Sequence, residues 1–85
     1  MSVGSLSAEE AVEVSVIYRD GAAYPLLQAV WWRGERFNVS TIDLVYPERD
    51  GATTFLCYFV SCDRTQFRVR LNTRRQIWLA CTTTA

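Results

Sequence analysis

Cys57, Cys62 and Cys81 are the thiols of a chain that holds neither histidine nor lysine. Without those two residue types there is no imidazole base, no Schiff-base amine and no phosphate-loop lysine, so serine, cysteine or phosphoryl chemistry would need an unusual base. Asp43 alone, or Cys62 beside Asp63 and Arg64, is what remains, and a Cys-Asp-Arg triplet is more often just a turn. An odd number of cysteines excludes a complete intramolecular disulfide set, which leaves reduced thiols as the simpler state. Cys57 and Cys62 are separated by four residues rather than the two of a zinc knuckle, and no histidine completes a tetrahedral site. The sequence therefore predicts no enzyme, no catalytic residue, no metal and no cofactor.

Two tryptophans offer a different chemistry. The strand pattern sets Trp31 among Arg33 and Arg36, and Trp78 beside Arg68 and Arg70. Aromatic platforms interleaved with guanidinium are how small barrels stack and neutralise single-stranded nucleic acid. The competing account packs these rings under the arginine stems as a minor core, or covers them with the N-terminal segment. Nine cations against nine anions weigh against phosphate binding, which usually shows as a basic domain. The charge is nevertheless uneven: residues 1–50 are acidic on balance, whereas residues 51–85 carry five arginines against Asp63 alone. Every cation is arginine.

The elements that must position these residues are strands. Val12, Val14, Val16 and Tyr18 alternate with Glu13, Ser15, Ile17 and Arg19, a period of two that predicts a first strand over residues 11–19, closed by Asp20-Gly21. Before it, Ser7-Ala8-Glu9-Glu10 has capping-box spacing, which allows one short N-terminal helical turn. A second strand is expected after Pro25, running to Arg33. Gly34-Glu35 reads as a type II′ hairpin loop, pairing Arg33 with Arg36, Trp32 with Phe37, Trp31 with Asn38 and Val30 with Val39. Val30, Trp32, Phe37 and Val39 then share an apolar side. The third strand, residues 36–46, changes phase between Val39 and Ile42, which predicts a bulge or bend near Ser40-Thr41.

Pro47 to Gly51 reads as a turn by composition. Residues 53–60 are apolar on both faces, the mark of a strand covered twice. Phe67, Val69 and Leu71 point inward against Arg68 and Arg70 outward. A last strand over residues 76–81 places Leu71 opposite Ile77 through an odd-numbered loop with a bulge, with Thr82 to Ala85 as a frayed tail.

The run from Pro25 through Val30-Trp31-Trp32-Arg33-Gly34-Glu35-Arg36-Phe37 to Val39, with Tyr58-Phe59, Phe67-Arg68-Val69 and Trp78-Leu79, resembles a small bacterial all-β domain of unknown function. That family occurs alone and at the C-terminus of degenerate Y-family polymerase-like proteins of DNA-damage tolerance. The likeness spans residues 25–80, and the family's Trp-rich segment is replaced here by Tyr46 to Thr54. It implies no enzyme activity and no known ligand.

Together these features predict a single all-β domain over residues 1–85, about six antiparallel strands in a meander forming a small half-closed or closed barrel. No apolar run is long enough to span a bilayer and no signal peptide is visible, so a cytoplasmic setting is expected. The expected function is a non-catalytic protein-interaction module or homodimer, motivated by the doubly apolar strand and by exposed edges. The alternative is single-stranded nucleic-acid binding through Trp31, Arg33, Arg36, Arg68, Arg70 and Trp78.

Overall fold

Valines in alternate positions keep the chain extended and send successive side chains to opposite faces, and that pattern recurs along the whole domain. The computed structural model describes residues 9–63 and 65–82. Its elements are strands: β1 (Glu10–Ile17), β2 (Leu26–Trp32), β3 (Glu35–Asn38), β4 (Thr41–Asp50), β5 (Thr53–Cys62), β6 (Thr65–Asn72) and β7 (Ile77–Thr82). All pairings are antiparallel, in the order β3-β2-β1-β7-β6-β5-β4.

β3 and β4 lie at opposite ends of that order, yet only Val39 and Ser40 separate them in the chain. The sheet must therefore curl until its two edges approach. The amide of Val39 donates to the Gln28 carbonyl of β2 at 2.8 Å, and the next amide, Ser40, donates to Ser61 of β5 at 2.8 Å. One residue carries the chain from one half of the sheet to the other. The bend expected near Ser40-Thr41 is this crossing, and it divides the expected third strand into β3 and β4. The domain is a curled half-barrel.

The inner face holds the core. Leu27, Val30 and Trp32 of β2 meet Tyr58, Val60 and Cys62 of β5, Phe67 and Val69 of β6 and Ala80 of β7, with Val12, Val14 and Val16 of β1 packed against them. Leu27 and Val30 are three residues apart, out of phase for a regular strand. A bulge opposite Ser15 and Val16 inserts one extra residue in β2 and restores them to one face. Phe67 closes the aromatic centre, 5.4 Å from Trp32 and 5.5 Å from Phe37 between ring centroids.

Four expectations change. The hairpin loop is Arg33-Gly34, with Trp32 opposite Glu35, Trp31 opposite Arg36 and Val30 opposite Phe37. Both loop residues have positive φ, 56° and 77°, the requirement of a type I′ turn, whose twist matches the strands it joins. The shift is by two residues, so Val30, Trp32 and Phe37 still share the core side. Pro47 lies within β4 rather than in a turn, because β4 is an edge strand and needs no donor on its outer side. Thr73 to Gln76 form a four-residue loop, held by the Asn72 side-chain oxygen accepting from the amides of Arg74 and Arg75. Leu71 consequently pairs with Trp78, not Ile77. Finally, Glu10 opens β1, and Ser7 of the expected N-terminal turn lies outside the described residues, as do Thr83 to Ala85 of the expected tail.

Candidate functional site

The six residues expected to bind fall in four places. Trp78 is on the core side, its ring 5.6 Å from that of Tyr58, and is separated by the sheet from Arg68 and Arg70. The even-numbered loop before β7 puts it there. A single-residue change in loop length exchanges the two sides of a strand.

Arg33 leaves the hairpin tip toward the core side. Its Nε donates to Glu10 Oε1 at 3.0 Å and its guanidinium lies 5.1 Å from the Trp32 ring centre. Trp32 Nε1 donates to the same carboxylate oxygen at 2.7 Å. These two donors, Arg33 first, pull the Glu10 carboxyl down to about 2. Glu10 thereby ties the start of β1 to the tip of the β2-β3 hairpin.

Trp31 and Arg36 sit opposite each other on the outer face, with the guanidinium 5.0 Å from the indole centre. Arg36 Nε also donates to the Asn38 side chain at 2.9 Å. Trp31 is 38% exposed, so this is an accessible aromatic platform with a cation on it.

Arg68 and Arg70 lie on the outer face of the other half of the sheet, with β1 and β7 between them and Trp31. Three rows run across that face: Leu44, Phe59, Arg68 and Cys81; then Tyr46, Cys57, Arg70 and Leu79; then Glu48, Phe55, Asn72 and Ile77. Arg70 covers Phe55, its guanidinium 4.1 Å from the ring centre. Its Nε donates to Glu9 Oε2 at 2.7 Å, its Nη2 to Glu9 Oε1 at 2.6 Å and its Nη1 to Glu48 Oε1 at 3.0 Å. Arg68 approaches Glu9 at 3.6 Å. Two arginines and two carboxylates thus neutralise one another in a layer where Phe55 and Cys57 are buried. Arg70, and then Cys57, hold the Glu48 carboxyl below its ordinary range. Burial, with Glu48 accepting from the thiol at 3.4 Å, pushes Cys57 up to about 11, away from reactive thiolate. Burial first, then Asp63, raises Cys62 as well.

The carboxylates of Glu9, Glu10 and Glu48 are partners that residue-by-residue inspection missed. For Glu9 and Glu48 the uneven charge along the chain was the signal, since these acids of the first half close on Arg68 and Arg70 of the second, whereas Glu10 meets Arg33 within the first half. Among the described residues no group of three or more His, Cys, Asp or Glu side chains is placed to hold a metal ion. No helix among them is long and apolar enough to cross a membrane.

Two cavities open at the end of the barrel. One, of about 390 Å³, is lined by Glu35, Arg36, Phe37, Asn38, Cys62, Asp63 and Thr65. The other, of about 360 Å³, shares Glu35, Phe37 and Thr65 with it and adds Trp32, Arg33 and Thr82. Comparison of the chain with protein-family models, with curated proteins and with solved structures finds no match in any of the three.

Proposed function

We propose that this domain is a non-catalytic protein-interaction module whose simplest partner is a second copy of itself. The observation that carries the reading is the outer face of β4 to β7. Leu44 is 53% exposed at the head of its row, Tyr46 and Phe59 stack beside it at 6.0 Å, and Ile77 is 41% exposed at the far side. The arginines between them are already paired with Glu9 and Glu48. A surface that is apolar and internally charge-neutral suits another protein better than a phosphate backbone. Three buried free thiols support a reducing, cytoplasmic setting. Light scattering after size exclusion, over a range of protein concentration, tests the self-association form: dimer mass rising with concentration and abolished by Leu44→Lys is expected. A strict monomer at the highest concentration removes it.

Single-stranded nucleic acid is the second reading, favoured by the exposed Trp31 ring carrying Arg36. Titrating tryptophan fluorescence with an oligonucleotide at low and high salt tests it. Quenching at low salt that Trp31→Ala removes supports stacking, and no quenching at low salt eliminates it.

A further inference from the structure

β3 is a sheet edge, and the larger cavity touches all four of its residues and none of β2, which places that cavity along the free side of the strand. The Val39 amide bonds to β2. Antiparallel pairs alternate between residues that bond to the neighbour and residues that face away, so the main-chain N–H and C=O groups of Arg36 and Asn38 point into the cavity. The second cavity continues the first past Phe37 to Trp32. The result is a groove with a strand edge as one wall, the β5-β6 turn at Cys62, Asp63 and Thr65 as the other, and aromatic side chains at one end.

The opposite edge is closed to such pairing. β4 carries Pro47 mid-strand and a bulge between Ile42 and Leu44, both of which frustrate the addition of a strand. β3 has neither.

The charges in the groove are also sorted. Arg33 is held by Glu10, and Arg36 is turned onto Trp31 and Asn38. Glu35 and Asp63 enter no ion pair among the described residues, so their two carboxylates remain open to a cationic side chain. We propose that this groove takes an extended segment of a partner protein as a strand added to β3, with an apolar side chain toward Phe37 and Trp32 and a basic side chain between Glu35 and Asp63. Four residues of β3 span roughly 13 Å, so the recognised core is about four residues long. The surface is separate from the outer apolar rows, and either interaction can fail without the other.

The test uses an end-capped octapeptide of alternating valine and lysine, with alternating valine and glutamate as control, titrated into the full chain labelled with nitrogen-15. Saturable shifts centred on β3 and the β5-β6 turn, slowed amide exchange at Arg36 and Asn38, and no response to the acidic peptide are expected. The pair Glu35→Gln and Asp63→Asn leaves the spectrum of the free protein folded and weakens the basic peptide by about three- to tenfold, as two exposed ion pairs allow. Asn38→Pro removes an outward N–H without touching a β2 bond and weakens the basic peptide's backbone pairing. Equal binding of the two peptides, shifts that map elsewhere, or no shift at millimolar peptide overturns the proposal.

Discussion

Tyr58 provides the sharpest measure of how the far end of the barrel is closed. Its side chain is fully buried, and burial raises its hydroxyl pKa above the ordinary value. The ring meets Tyr24 edge-on at 5.8 Å and Trp78 at 5.6 Å, while the hydroxyl donates to the Pro25 carbonyl at 2.7 Å. Tyr58→Phe keeps the ring and deletes only the bond that pins residues 18–25 over the core. The net worth of one such bond is about 1 kcal/mol, and the half-buried Pro25 can recover water, which holds the cost near that figure. For a domain of this length, about 1 kcal/mol lowers Tm by roughly 4–8 °C. In urea, with a slope of about 1 kcal/mol per molar, the midpoint falls by about 1 M with the slope unchanged. Tyr58→Ala also removes the ring and costs about 3–5 kcal/mol, most of what a small domain possesses. Equilibrium unfolding followed by tryptophan emission reads both variants. An unchanged midpoint in Tyr58→Phe, or a changed slope, refutes the anchoring of this segment through Tyr58.

Gly34 has φ +77° with nothing within 4 Å of an added Cβ, so Gly34→Ala costs about 1 kcal/mol through the backbone alone; a midpoint equal to wild type in urea denies the type I′ turn. Glu10 titrates near 2 when folded against an ordinary 4.5, so the unfolded chain takes up its proton first as pH falls. Stability from this group is complete above about 4.5 and drains away toward pH 2, and Glu10→Gln flattens that part of the curve. Urea midpoints at half-unit pH steps check it, and an equally steep acid limb in the variant contradicts the Glu10 linkage.

Strand content was legible because period-two alternation is a local property. Val12, Val14 and Val16 announced β1, Phe67 and Val69 announced β6, and the phase change between Val39 and Ile42 marked the crossing that curls the sheet. The double burial of β5 was legible for the same reason, since Phe55 and Cys57 alternate with Tyr58 and Val60 and both sets are buried. Turns were less transparent. A glycine signals positive φ without saying whether it takes the first or the second loop position, and Arg33 adopting φ 56° beside Gly34 moved the register by two. Pro47 was misplaced because the same residue that ends a central strand is tolerated at an edge, and edge status is decided by the whole topology.

The candidate site was harder to see because its geometry depends on parity and on charges far apart in sequence. Trp78 entered the core when the loop before β7 proved even, and no alternation within β7 could reveal that. Arg70 meets Glu9 across 61 positions and Glu48 across 22, so spacing that suggested a cationic face describes a neutral one. An arginine held by two carboxylates over Phe55 is a lid on an apolar layer: removing it would expose that layer, strip Glu48 of its arginine and leave Glu9 with Arg68 alone. Of the six residues singled out by type, Arg36 and Trp31 alone combine an exposed ring with a guanidinium that no carboxylate holds among the described residues. A cationic ligand surface on this fold would therefore centre on β2 and β3, next to the one edge that proline and bulge leave open.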